Sequence, residues 1–256
     1  MSKYEKISII ISALALAVSI LVPLIKFLYK RSIKAELIYH STKRAQLYCN
    51  RSGSYIKIDG VYESKNKNSI INIVEVIIKR KSDGNLLCLP WSSFVSPVIQ
   101  SFSRDIASTS ETAHQFKVEA DSIACAFIEF GDFHGYPTKR IMPFFENYSI
   151  LVNSIASNNQ SFTNNLKLVS NQKGFYELND IIHKELFWQI GDYEITIKTN
   201  YNNNMELESK FTFTVSESDY KKIEANISEL LVSVLKDYYR LPYSMQPIIV
   251  ELKEEK

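Results

Sequence analysis

The residues best suited to chemistry lie in and just before the segment GDFHG, residues 131–135. Asp132 and His134 would project to the same side of an extended loop, and Glu129 precedes Asp132 by three residues. A carboxylate beside an imidazole can transfer protons or bind a metal ion. One interpretation is therefore a hydrolase-like site at these three residues. The other is a polar turn between two glycines, with its side chains facing water.

Motifs that would support catalysis or cofactor binding are absent from the rest of the sequence. There is no Walker loop, no G-x-S-x-G elbow and no G-x-G-x-x-G segment. None of the four histidines has a second histidine or a cysteine at metal-ligand spacing. The histidines are His40, His114, His134 and His183. We therefore expect no cofactor and no metal, and a binding function rather than an enzyme.

Three cysteines, an odd number, occur in apolar segments that read as strands. They are Cys49, Cys88 and Cys125. This pattern predicts buried, reduced thiols and fits no zinc motif.

The overall charge is nearly balanced, with 30 Lys and Arg against 28 Asp and Glu and a net charge of +2. Nucleic-acid-binding domains usually carry a strongly basic face, so no nucleic-acid partner is expected. Two local clusters are basic, Lys65-Asn66-Lys67 and Lys79-Arg80-Lys81. They could contact an anionic group, but such clusters at hairpin tips are more often simply solvated.

The N-terminal segment ISIIISALALAVSILVPLI, residues 7–25, contains no charge. A helix needs about 20 apolar residues to cross a hydrocarbon core of about 30 Å. The segment therefore predicts a transmembrane helix in an anchor with a basic flank, residues 1–34, and makes the lipid bilayer an expected partner. A cleaved signal peptide is the alternative. The residues predicted to contact the membrane are Ile7, Leu14, Leu16, Ile20, Leu24, Lys30 and Arg31.

Lys and Arg are more frequent after this segment than before it, which predicts the orientation. The N-terminus would lie outside and the C-terminal domain in the cytoplasm, at the inner membrane of a bacterium. The inverted topology would give an extracytoplasmic adhesion or sensor domain. Small residues four apart, such as Ala13 and Ala17, would allow two such helices to associate.

Residues 35–215 alternate between apolar and polar positions, which predicts an antiparallel β-sandwich region. INIVEVIIKRKSDGNLLCLPW predicts a hairpin that turns at Asp83-Gly84. Further along, a strand to Val118, a turn near Asp121 and a strand from Ala124 to Phe130 are expected. The polar segment 101–113 is interpreted as a loop or short helix. A polar segment near residues 153–172 could be a joint between two sandwiches or part of a single decorated one, and both alternatives remain open.

Five aromatic residues occur near prolines in segments that read as loops. They are Trp91, Phe94, Tyr136, Phe144 and Phe145. Exposed, they would form an interaction patch, and buried, they would cap the ends of the sandwich.

Gly191-Asp192-Tyr193 opens a strand-like segment and resembles the tyrosine corner of immunoglobulin-like sandwiches. Antibody domains carry a disulfide cysteine two residues after that tyrosine, where this chain has Ile195. The resemblance is thus to disulfide-free immunoglobulin-like or fibronectin-type-III-like domains. It implies a β-sandwich in which the tyrosine hydroxyl caps a nearby backbone group, and it implies no activity.

Residues 216–256 predict an amphipathic helix, a last edge strand in PIIVEL and a solvated tail. Ser216 and Asp219 have the spacing of a capping box. The apolar stripe of the helix either packs on the sheet or docks a partner. The candidate partner-binding residues are Ile223, Ile227, Leu231, Val234 and Leu235.

Together these features predict a mainly β, single-pass membrane protein that binds a protein partner or forms a homo-oligomer. A sensor, an adaptor or a subunit of a bacterial membrane complex would fit, by architectural analogy with defence and toxin–immunity systems.

Overall fold

The structure is a computed structural model that describes residues 3–51, 53–99, 106–131, 136–158, 160–203 and 205–255. Within these residues, five helices and eleven strands form a mainly β protein. The helices are α1 (Lys3–Ser32), α2 (Tyr136–Ala156), α3 (Phe162–Ser170), α4 (Lys173–Glu185) and α5 (Glu217–Tyr239). The strands are β1 (Glu36–Asn50), β2 (Gly53–Lys65), β3 (Ser69–Arg80), β4 (Leu86–Ile99), β5 (Ile106–Thr112), β6 (Phe116–Val118), β7 (Ser122–Phe130), β8 (Gly191–Tyr201), β9 (Met205–Val215), β10 (Ile248–Glu251) and β11 (Lys253–Glu254).

The strands form a sheet in the order β10-β1-β2-β7-β4-β3-β8-β9-β11, with β5 paired to β4 and β6 to β3. All neighbouring strands are antiparallel. Burial alternates residue by residue along β2 and β8, as expected for strands with one face on a core. The mainly β, antiparallel character predicted from the sequence is thereby confirmed, but the predicted β region 35–215 is interrupted by the helices α2, α3 and α4.

Two segments give the sheet a near-barrel shape. The first half of β4 pairs with β3, and its second half pairs with β7 and β5. On the other side, β10 pairs with β1, and β11 pairs with β9 after a single intervening residue, Leu252. The Leu252 amide donates to the carbonyl of Lys43 at 2.9 Å, so the C-terminal segment joins the two outer strands. We call residues 248–254 the seam.

The immunoglobulin-like sandwich is not confirmed, although the hydrogen bonds of the predicted tyrosine corner are present. The Tyr193 hydroxyl accepts a bond from the amide of Gln189 and donates one to its carbonyl, both at 2.7 Å. Its ring is fully buried and stacks on Phe213, with ring centroids 4.9 Å apart. A local corner of this kind is compatible with a sheet closed into a near barrel, because it constrains only the start of β8.

The hairpin predicted at Asp83-Gly84 is present, and a second hairpin connects β8 and β9. β3 and β4 meet around Gly84, which has a φ of 74°, and the β8–β9 turn holds Asn202 and Asn203 at positive φ. Such turns favour Gly and Asn because these residues tolerate the left-handed region.

The predicted strand to Val118, the turn near Asp121 and the strand from Ala124 to Phe130 are present as β6, a turn at residues 120–121 and β7. The two strands do not form a hairpin with each other, since β6 pairs with β3 and β7 pairs with β2. Residues 106–112, inside the segment interpreted as a loop or short helix, form β5. This strand is polar because it pairs only with β4, at the edge of the sheet.

A group of helices packs on the sheet and shares its core. Helix α5 begins at Ser216 with a complete capping box, as predicted, and ends at Arg240. Helix α2 was not predicted. It contains Pro143 and three of the aromatic residues expected in loops, Tyr136, Phe144 and Phe145. The Tyr148 hydroxyl of α2 donates to the carbonyl of Leu231 in α5 at 2.7 Å, which links the two helices.

Helices α4 and α5 are also joined by His183 and Glu224, whose Nε2 and Oε2 atoms lie 3.0 Å apart. Burial lowers the pKa of His183, but the hydrogen bonds that its ring donates to the Glu224 carboxylate and the Asn179 carbonyl outweigh this effect and raise the pKa above its usual value of 6.5. Burial likewise raises the pKa of Glu224, and the bond to His183 reverses this, leaving it lowered.

The contact should therefore stabilise the fold only while His183 is charged and Glu224 is ionised. Its contribution is complete below the unfolded-state pKa of histidine and is lost as pH rises through the raised folded-state pKa. Both side chains are about a third exposed, so we expect the loss to stay below about 1 kcal/mol. Urea unfolding between about pH 5.5 and 8.5 measures it. His183→Gln should flatten that part of the profile, and an unchanged slope in the variant would contradict this assignment.

Helix α1 covers the segment that was predicted to cross a membrane. No helix in the described part of the chain, however, has both the length and the apolarity that a bilayer crossing requires. The predicted transmembrane anchor is therefore wrong. The single-pass topology and the inner-membrane localisation with the N-terminus outside are wrong with it, since both depended on that helix.

Candidate functional site

The predicted hydrolase-like site is only partly covered by the structure. Glu129 lies on β7, where its Oε2 accepts a hydrogen bond from the Ser93 hydroxyl at 2.7 Å. Asp132 and His134 lie outside the described residues. Glu129 is thus held by a serine of the neighbouring strand β4, and the hydrolase-like alternative stays a prediction.

The three described histidines lie apart, each with its own partner. His40 contacts Glu63 at 2.8 Å, His114 contacts the carbonyl of Thr112 at 3.1 Å, and His183 contacts Glu224. Among the residues that the structure describes, no group of three His, Cys, Asp or Glu is arranged to hold a metal ion.

The candidate partner-binding stripe of α5 is covered by the chain itself. Its side chains are at most 6% exposed and belong to the core shared with the sheet. They are Ile223, Ile227, Leu231, Val234 and Leu235. The apolar stripe of α5 therefore packs inside the protein, in the core shared with the sheet. A partner would have to contact another surface.

The residues predicted to contact a membrane lie on α1. The described apolar side chains among them are 48–63% exposed: Leu14, Leu16, Ile20 and Leu24. Ile7 and Lys30 belong to the same helix, but their side chains are not described. Arg31, predicted as part of a membrane flank, instead lines a cleft at the junction of α1 and β1.

This cleft, which we call the basic cleft, has a volume of about 550 Å³. Arg31 and Lys34 come from the end of α1 and the following linker, and Lys67 comes from the β2–β3 turn. The Lys67 ammonium donates to the carbonyl of Arg31 at 2.9 Å and so holds the turn against the helix end. The other lining residues are Ser32, Ile33, Ala35, Asn68, Asn202 and Met205.

The lining of the basic cleft carries three cationic side chains and no carboxylate. None of the three forms an ion pair with a described carboxylate. Asn68 and Asn202 use their side-chain oxygens to accept bonds from Ala120 and Ile70. Their amide nitrogens remain as additional donors. The arrangement therefore suits an anionic ligand.

A second polar cleft of about 380 Å³ lies at an irregularity in β1. The register with β2 shifts between Ser41 and Ala45, and Lys43 in between has a φ of 62°. Asp59 of β2 lies opposite this bulge. Its buried Oδ1 lacks a hydrogen bond to any described atom, although the Lys57 ammonium is 3.7 Å away.

Burial raises the pKa of the Asp59 carboxyl, and Lys57 offsets only part of that rise. Bulges and carboxyl groups with raised pKa are common near functional sites. The described lining of this cleft holds no histidine or cysteine that could act with Asp59. The cleft therefore supports no catalytic assignment.

The cysteines differ from the prediction in their exposure. All three are free, and Cys49 is buried, but Cys88 and Cys125 are exposed. Strand residues alternate between faces, so an apolar neighbourhood in the sequence does not determine on which side of the sheet a cysteine lies.

The sequence shows the cations of the basic cleft but not that they lie together. It predicts Arg31 and Lys34 in a membrane flank and Lys67 at a solvated hairpin tip. No local pattern joins residues 31–35, 67–68 and 202–205, because three turns of the fold bring them together.

Comparisons with known proteins identify no family. No family model and no curated protein matches the chain. One similar solved structure is the crystal structure of Spo0M, a sporulation control protein from Bacillus subtilis. The similarity has a TM-score of 0.29 and 8% sequence identity over 75% of this chain, and the chain spans 55% of the length of that protein. Resemblance at this level carries no functional argument.

Proposed function

We propose that this is a binding protein, a sensor or adaptor subunit, that takes an anionic group of its partner into the basic cleft. The observation that supports the proposal is the set of three cationic side chains around one cleft without a described carboxylate among them. Grouping like charges costs free energy, which an anionic ligand would relieve. Because Lys67 is already bonded to the end of α1, part of the cleft is ordered before any ligand binds.

The proposal predicts that removing one cation weakens anion binding. Lys34→Glu should reduce the affinity for the anion about tenfold, because it reverses an exposed charge at the cleft while breaking no described hydrogen bond. Isothermal titration calorimetry with inorganic pyrophosphate and, separately, with a hexaglutamate peptide measures this. A preference for one of the two probes distinguishes a phosphate from a carboxylate partner.

Lys221→Glu on α5 is the matched control, since it makes the same charge change at another exposed lysine. It should bind like the wild type at equal salt concentration. Affinity should fall as ionic strength rises, because exposed charges are screened. Equal losses in both variants, or no binding of either anion to the wild type, would refute the proposal.

A further inference from the structure

A small cleft of about 200 Å³ lies on the opposite part of the sheet from the seam, where β4, β5, β6 and β7 meet. Its lining combines aromatic rings with one carboxylate and contains neither lysine nor arginine. The residues are Phe94, Glu111, His114, Phe116, Cys125 and Phe127. We call it the aromatic cleft. None of these residues belongs to the basic cleft.

Three rings surround Phe94 at steep angles. The ring centroids of Phe94 and His114 are 5.5 Å apart with planes at 77°, and those of Phe94 and Phe116 are 5.5 Å apart at 88°. Trp91 contacts both phenylalanines from a third side, which holds their orientation. Rings set at right angles present both faces and edges to a common space, and the faces carry partial negative charge.

The carboxylate belongs to the same side of the sheet as the central ring. Glu111 of β5 is the direct cross-strand neighbour of Phe94 in β4, and such neighbours project to the same face. Glu111 is exposed, and no described lysine, arginine or histidine forms an ion pair with it. Its negative charge is therefore available to a ligand.

His114 adds an acceptor. Its Nδ1 lies 3.1 Å from the Thr112 carbonyl, which can only accept, so Nδ1 carries the hydrogen of that bond. In the neutral ring, Nε2 then has a free lone pair. Phe127 contributes less, because the Lys57 ammonium already lies 6.0 Å from its ring centroid.

We propose that the aromatic cleft is a binding site for a small organic cation, an alkylammonium group. The positive nitrogen would lie against the faces of Phe94 and Phe116, where cation–π attraction acts. Glu111 would supply the opposite charge, and His114 Nε2 would accept a hydrogen bond from an N–H group. A neutral apolar ligand would contact the rings but would gain nothing from the charge of Glu111, so the carboxylate favours a cation.

Two probes of equal size and different charge test the assignment: tert-butylammonium and tert-butanol. Amide shifts in heteronuclear NMR titrations of the full chain would report binding at residues 94 and 111–116. We expect the ammonium to bind at least about tenfold more tightly than the alcohol. Equal affinity, or no shift at these amides with either probe, would overturn the proposal without requiring any variant.

Variants then separate the two attractions. Glu111→Gln should weaken binding of tert-butylammonium about tenfold and leave that of tert-butanol unchanged. Phe94→Leu should do the same through loss of the ring face, while its apolar character is kept. Glu146→Gln, at an exposed carboxylate on α2, should change neither. Unchanged ammonium affinity in both Glu111→Gln and Phe94→Leu, with the native spectrum retained, would also overturn the assignment.

Discussion

Replacing Tyr193 by alanine is expected to lower the free energy of unfolding by about 3–5 kcal/mol, the range for truncating a large buried aromatic side chain. The ring is fully buried, stacks on Phe213 and contacts Trp188, with ring centroids 4.9 and 6.0 Å away. The hydroxyl satisfies both backbone groups of Gln189. The substitution therefore creates a cavity and removes the hydrogen-bond partner of two partly buried backbone groups.

Tyr193→Phe separates these two contributions. It keeps the ring and removes only the hydroxyl, so we expect a loss of about 1–3 kcal/mol. Urea unfolding followed by fluorescence and far-UV circular dichroism gives both values. Tyr176→Ala, at a tyrosine that is 55% exposed, is the control and should stay within about 0.5 kcal/mol of wild type. A loss below about 0.5 kcal/mol in Tyr193→Ala would show that the corner does not stabilise the fold.

Introducing a charge into the seam should have an effect at least as large. Val250 is 3% exposed and lies opposite Ala45 of β1. Val250→Asp would place a carboxylate in the core next to Ile248 and Leu252, both 1% exposed. We expect a loss of about 4 kcal/mol or more, because a buried charge without a partner is among the most destabilising changes.

The neighbouring residue provides a matched control. Ile249 is 49% exposed, so Ile249→Asp introduces the same carboxylate into the same strand on its outer side. It should cost less than about 1 kcal/mol. Hydrogen exchange in Val250→Asp should rise first in β1 and β9, the two strands that the seam joins. Similar losses in the two variants would contradict the inferred closure of the sheet.

Local features of the fold were predictable where neighbouring residues encode them. Asp83-Gly84 predicts the β3–β4 turn because that turn requires a residue at positive φ. Ser216 and Asp219 predict the start of α5 because their side chains cap its first turn. The tyrosine-corner resemblance implies that the Tyr193 hydroxyl caps a nearby backbone group, and in the structure it bonds to the backbone of Gln189, four residues away.

The sequence of α2 contains the apolar spacing of a helix, but other residues in and after it favour a loop. Its buried residues recur at helical spacing: Ile141, Phe145, Tyr148, Val152 and Ala156. Pro143 within the helix and the Asn/Ser-rich segment after it favoured a loop, because proline removes a backbone donor from a helix interior. The tertiary packing of this apolar stripe outweighs that local cost.

In the N-terminal segment, by contrast, the sequence pattern predicted a feature that the structure does not support. A charge-free run at residues 7–25 fits the length of a membrane span, yet the described helices do not meet the combined criterion of length and apolarity. The membrane orientation predicted from the flanking Lys and Arg residues is therefore wrong as well. Arg31, one of these residues, lines the basic cleft.

The sequence by itself determined the antiparallel β character, the β3–β4 hairpin and the capped C-terminal helix, because periodicity and turn residues act over a few neighbours. Only the tertiary structure decided which strands pair across the chain, such as β6 with β3 and the seam with β1 and β9. The tertiary structure also brings together the residues of the basic cleft and of the aromatic cleft. Their residues come from separate strands and turns, and their proximity depends on long-range closure of the sheet, which no short segment encodes.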